Sequence, residues 1–156
     1  NGSAASRLKN SKKLNIQNNV TFFGKVTESD KCKLLAQSWV AVQLSQVEGW
    51  GITVIEANAT GTPVIASNVN GLRDSIVNGK TGILVALRNV SETAAALTKV
   101  LEDKNLRSEL STSANAWSKK FSWNVSAQNF YSILKEMTTQ RKAGRFVPRI
   151  SVSNKI

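Results

Sequence analysis

Along the first half of this chain, short continuous apolar runs alternate with stretches in which apolar residues return every three or four positions. The continuous runs are Val20-Thr21-Phe22-Phe23, Trp39-Val40-Ala41-Val42-Gln43-Leu44, Thr62-Pro63-Val64-Ile65-Ala66 and Ile83-Leu84-Val85. Short, and rich in β-branched and aromatic residues, they predict four buried strands. Between them, helical spacing predicts a first helix from Ala4 towards Leu14 with Ser3 as its cap. A second runs from Glu28 to about Gln37 behind a Thr27-Glu28-Ser29-Asp30 capping box, burying Cys32, Leu34 and Leu35. A third follows Gly51, with Ile52, Ile55 and Ala59 on one side and Val54 beside them, and Gly61 as its left-handed cap. Leu72 to Val77 is a short helical stretch that leads to an Asn78-Gly79 turn. After Val85 the pattern is helical throughout: Ser91–Glu102, Asn105–Lys119, and Trp123 to about Met137 capped by Ser122. Four short strands, three of them followed by helical segments, predict an α/β fold, a Rossmann-like open parallel sheet with helices on both faces. Residues 138–156 lack periodicity and carry Pro148, so the domain is expected over 1–137 with a basic tail beyond.

Composition narrows the chemistry. Among 156 residues, 41% are apolar and 20% charged, which suits one globular domain. With one cysteine, Cys32, and no histidine, a disulfide framework, a zinc cluster and a Ser-His triad are all excluded. No stretch has the length of a membrane span and no signal segment opens the chain, so a cytoplasmic protein is expected. The net charge of +11 invites a nucleic-acid reading. Much of that excess sits in Arg141, Lys142, Arg145, Arg149 and Lys155, near the end, which makes a solvated basic face with a loose tail the better account. Such a tail would suit contact at an anionic membrane periphery. Asn-x-Ser/Thr triplets at Asn1, Asn19, Asn58, Asn89 and Asn124 are expected by chance in an asparagine-rich chain. Trp117, Phe121, Trp123, Phe130 and Tyr131 are expected to pack the last helices against the sheet.

The stretch from Ser45 to Ala57 joins a strand to a helix through a loop containing Glu48, Gly49, Trp50 and Gly51. The first N–H groups of a helix have no intrahelical acceptor, and the helix dipole favours an anion in front of them. Open parallel sheets bind ligands at the carboxyl ends of their strands. Gly24, Glu48, Gly49, Gly51, Asn68 and Gly71 all follow predicted strands. A Gly-x-Gly-x-x-Gly dinucleotide pattern is absent, because Val54 stands at the third position.

Four segments in register carry a resemblance to a known family. They are Asn19–Val26, Glu48-Gly49-Trp50-Gly51 running through Glu56 to Ala66, Gly71-Leu72-Arg73-Asp74, and Gly79–Val85. Together they resemble the C-terminal domain of group 1 retaining glycosyltransferases of the GT-B fold. Glu48 and Glu56 reproduce that family's Glu-x7-Glu spacing. The resemblance implies that Glu48 reaches the donor sugar at the reacting centre, as the catalytic assignment, and that Glu56 holds the ribose hydroxyls of a UDP-sugar or GDP-sugar. It implies that backbone N–H groups of Gly49, Trp50 and Gly51 approach the sugar. Those of Thr53 and Val54, beside Ile52, approach the diphosphate, while Gly24, Lys25 and Val26 read the nucleobase. Vicinal hydroxyls suit a carboxylate acceptor, and no metal or cofactor is implied. The family's first strand and its acceptor-binding N-terminal domain would precede residue 1, so the chain is expected to be a donor-binding half, inactive alone. Binding of nucleic acid through the positive charge, and a ligand-free structural remnant, are the competing readings.

Overall fold

The computed structural model describes residues 4–142, which fall into two compact units divided between Lys31 and Cys32. In the first unit, α1 spans Ala4–Lys13, so the expected cap Ser3 lies outside the described residues. A 3-10 turn follows at Gln17–Asn19. Val20–Phe23 forms no strand, and Phe22 and Phe23 are exposed. An apolar run becomes a strand only through a ladder, which composition by itself does not supply. Thr27 caps α2 (Glu28–Gln37): the Asp30 N–H donates to Thr27 Oγ1 at 3.1 Å, and the Thr27 hydroxyl donates to Asp30 Oδ2 at 2.7 Å. The helix buries less than its pattern suggests. Leu34 and Leu35 are half-buried, while Cys32 is exposed.

The second unit is built on a parallel sheet of β1 (Ala41–Gln43), β2 (Val64–Ser67) and β3 (Gly82–Val85), ordered β1-β2-β3. Ala41 pairs with Val64 and Ile65 with Ile83. Every residue of β2 is buried, since it has a strand on each side and helices on both faces. The expected strand Trp39–Leu44 shrinks to three residues at the sheet margin, where Trp39 and Val42 stay exposed.

Alternation along the strands divides the core in two. On one face Val64 and Ala66 pack against Val54 and Ala57 of α3 (Ile52–Ala59), Leu72 of α4 (Leu72–Ser75), and Ile76. On the other, Ile65 and Val85 pack against Ala96 and Val100 of α5 (Val90–Glu102) and Leu110 of α6 (Lys104–Ser118). The buried face of α3 is therefore Val54, Ala57 and Asn58. Ile52, at 67% exposure, and Ala59 point away from it, contrary to the sequence pattern. All eight residues of that helix are apolar or small except Thr53, Glu56 and Asn58, so periodicity alone could not select a face.

Helix ends follow their expected chemistry. Gly61, at φ +80°, closes α3 with a paired motif: Gly61 N–H donates to Asn58 O and Thr62 N–H to Ala57 O, at 3.0 and 2.9 Å. Asn89 caps α5, accepting from Glu92 N–H at 3.0 Å, and Asp103 caps α6, accepting from Leu106 N–H at 2.9 Å. α6 touches both faces of the fold. Its start shares the second core, and near its end Asn115 Nδ2 donates to Ala59 O at 2.8 Å and Trp117 Nε1 to Ser75 O at 3.0 Å. α7 (Trp123–Lys142), capped by Ser122 Oγ, continues past Met137 because Thr138–Lys142 holds no glycine or proline; residues 143–156 of the expected tail lie outside the described residues. Trp123, at 91% exposure, Phe130 and Tyr131 stand in solvent, so of the five aromatics Trp117 and Phe121 are the packed ones. Among the described residues no helix is long and apolar enough to cross a membrane.

Candidate functional site

Three loops leave the carboxyl ends of the sheet, after Gln43, Ser67 and Val85. The first carries Glu48, Gly49, Trp50 and Gly51, and its shape is fixed from below by two glycines. Gly71, at φ +82°, lies so close that a Cβ there would stand 2.3 Å from Glu48 O and 2.8 Å from Gly49 O. Gly51, at φ +84°, caps α3, and a Cβ on it would meet Ser75 Oγ at 2.8 Å and Leu72 Cδ2 at 2.9 Å. A side chain at either position would push the loop off its support. Gly49 differs: a Cβ there would meet nothing within 4 Å, so the fold itself does not demand glycine.

The Glu48 carboxylate is half-buried and held by the strand that precedes it. Gln43 Nε2 donates to Glu48 Oε2 at 3.3 Å, Ser45 Oγ donates to the same oxygen at 3.2 Å, and Gln43 Nε2 also reaches Ser45 Oγ at 2.8 Å. Both bonds to the carboxylate fall on Oε2, so Oε1 keeps its acceptor capacity. Gln46 ties the loop to the one after β3, its Oε1 accepting from Arg88 Nη2 at 2.8 Å. Trp50 packs edge-on against Phe121, with centroids 4.8 Å apart, and Phe121 in turn against Trp117 at 5.1 Å.

At the start of α3 the Val54 N–H is already engaged, donating to Gly51 O at 2.9 Å, and the Val54 side chain is core. The N–H groups of Ile52 and Thr53 come before the first intrahelical bond and are the ones presented at this terminus. Glu56, half-buried, lies one turn further along α3. A cleft of about 330 Å³ opens beside Glu48, lined also by Gln46, Val47, Asn68, Val69, Asn70 and Arg73. Arg73 Nη2 donates to Asn70 Oδ1 within that wall. The structure thus brings Glu48, Gly49, Trp50, Gly51, Ile52, Thr53, Val54 and Glu56 into one loop and helix of the second unit. Gly24, Lys25 and Val26 belong to the first.

Sequence reasoning passed over Gln43, Ser45, Asn70 and Arg73 as working parts of this site. Gln43 gave a signal, since it is the polar residue inside an apolar strand run. Arg73 gave one as well, as the basic residue of the Gly71-Leu72-Arg73-Asp74 segment that carries the resemblance.

Residues 1–117 match the model of the family described as glycosyl transferases group 1. The chain belongs to that family. Among group 1 relatives, the glycogen synthase of Mycobacterium tuberculosis is 39% identical over 82 residues, covering 53% of this chain and 20% of the relative. The sucrose-phosphate synthase of Thermosynechococcus elongatus superposes with a TM-score of 0.78 at 27% identity, over 88% of this chain and 35% of that one. Anabaena HepE, solved in complex with UDP-glucose, has a TM-score of 0.77 at 23% identity, over 85% and 36%, a likeness of fold. This group 1 chain therefore spans between a fifth and about a third of those proteins, as the C-terminal, Rossmann-like α/β domain that its motifs resembled.

Proposed function

We propose that the chain is the donor-binding part of a retaining glycosyltransferase that moves a sugar from a UDP-sugar or GDP-sugar to an acceptor. The observation that carries this reading is the Glu48 loop. It is a carboxylate pinned on one oxygen, on a backbone seated against Gly71, in front of a helix terminus with N–H groups to spare. Glu48 Oε1 accepts a donor-sugar hydroxyl at the reacting centre, and Gly49, which the fold does not require, leaves space for the sugar. Ile52 and Thr53 N–H groups meet the diphosphate, and Glu56 takes the ribose hydroxyls. Gly24, Lys25 and Val26 are assigned the nucleobase. Arg73, on the cleft wall with Glu48, adds a positive charge suited to the diphosphate. HepE, of the same fold, binds UDP-glucose, which supports a nucleotide-sugar ligand. The acceptor is held by a further domain, so the chain alone turns over little donor, and no metal takes part.

Thermal denaturation with and without nucleotide tests the assignment. UDP or GDP raises the melting temperature of the wild-type chain, EDTA leaves that shift in place, and Glu56→Ala removes it. Glu48→Gln retains the UDP shift and loses the increment that UDP-glucose adds. If neither nucleotide shifts the transition, or Glu56→Ala keeps the full shift, the reading fails. Turnover of radiolabelled donor by this chain at the rate of a two-domain enzyme would refute its inactivity alone.

A further inference from the structure

At the opposite, amino end of β1 and β2 lies a second cleft of about 330 Å³, separate in its lining from the Glu48 site. Its wall includes the cations Lys104 and Arg107, the indole of Trp39, and the hydroxyls of Ser108, Ser111 and Thr60; no aspartate or glutamate lines it. Of the acids adjoining lining residues in sequence, Asp103 is occupied as the cap of α6 and Glu109 is not part of the lining. We infer that this cleft binds a phosphorylated sugar.

Three features carry the assignment. First, Arg107 is fixed in advance. Its Nη1 donates to Val100 O at 2.9 Å and Leu101 O at 3.0 Å, closing the end of α5, and its guanidinium lies 4.3 Å from the Trp39 ring centroid. A guanidinium held in this way offers its remaining N–H groups to an anion at little further entropy cost. Second, Lys104 is exposed one turn earlier on the same helix, so two positive charges stand three residues apart on one wall. A phosphate, with several acceptor oxygens, satisfies both. Third, Trp39 opens the apolar β1 segment yet is 61% exposed, and burial in the core does not account for it. A broad indole beside several hydroxyls and a phosphate-sized charge cluster is the chemistry that holds a sugar ring with its phosphate. A bare anion would leave Ser108, Ser111 and the surface of Trp39 that stays exposed beside Arg107 unused, and a neutral sugar would leave Lys104 unused.

Titration of the ¹⁵N-labelled full chain with glucose 6-phosphate, glucose, inorganic phosphate and UDP tests this by amide chemical shifts. Glucose 6-phosphate moves Trp39, Gly61, Arg107 and Ser108 saturably and binds roughly tenfold tighter than inorganic phosphate. Lys104→Ala weakens both anions by about tenfold, the loss of one charged hydrogen bond. Trp39→Ala abolishes the preference for the sugar phosphate. Lys104 and Trp39 are exposed, so both variants should keep the wild-type spectral dispersion, and Ser108→Glu gives a second route to lost binding by placing a negative charge in the cleft. Equal affinity for glucose 6-phosphate and inorganic phosphate overturns the proposal, as does the absence of saturation or a response at Glu48 and Arg73 instead. UDP is expected to leave these four amides unmoved, so failure of nucleotide binding and failure of this cleft are read separately.

Discussion

Single atoms decide the shape of the Glu48 loop. Gly71 has no room for a Cβ because the peptide of Glu48 and Gly49 occupies it, and its φ of +82° is strained for any L side chain. Gly71→Ala is expected to cost at least about 2 kcal/mol in urea denaturation and to abolish the UDP-induced melting shift. The same substitution at Gly49, where a Cβ meets nothing, leaves stability within error, so the pair separates folding from binding. Asn58 presents the reverse case. It is fully buried on α3, and neither its Oδ1 nor its Nδ2 has a hydrogen-bond partner among the described residues. Asn58→Leu, of similar shape and without the unpaired amide, is expected to raise stability by about 1 kcal/mol, measured as an upward shift of the denaturation midpoint.

At the scale of elements, caps and crossings hold the loops that form the site. Asn89 and Glu92 work as a pair at the start of α5: Asn89 Oδ1 accepts from Glu92 N–H, and Glu92 Oε2 accepts from Ala86 N–H at 2.8 Å and from Asn89 Nδ2 at 3.1 Å. That pair fixes the loop after β3, from which Arg88 reaches Gln46. Asn89→Ala should lower stability by about 1 kcal/mol, and Asn89→Asp, which retains the accepting oxygen, should cost less; guanidinium denaturation of both variants distinguishes the cap from general packing. α6 matters for a different reason. By donating from Asn115 to Ala59 O and from Trp117 to Ser75 O, it anchors the ends of α3 and α4, the two helices whose starts carry Gly51 and Gly71.

For the whole molecule, stability is concentrated in the second unit around β2, sandwiched between two strands and two cores. Amide exchange is therefore expected to be slowest at Ile65 and Ala66 and far faster along α7, whose side chains from Trp123 to Arg141 are exposed apart from a half-buried Gln140; similar protection in both would contradict this. The sequence by itself determined the alternation of strand and helix from Trp39 to Val85, the helix ends at Thr27, Gly61 and Ser122, and the family through four motifs in register. These are local matters, since caps, breakers and periodicity act within a few residues of the chain. What tertiary structure alone decided was pairing and facing. Val20–Phe23 has the composition of a strand yet is not one, because composition does not supply a ladder. Cys32, Ile52, Trp123 and Tyr131 are apolar positions left exposed because no described element covers them. The grip of Gln43 and Ser45 on Glu48, and the seat of that loop on Gly71, join residues that sequence gave no reason to connect. Hydrogen bonds and close backbone contacts depend on where the sheet sets neighbouring loops, and only the assembled sheet does that.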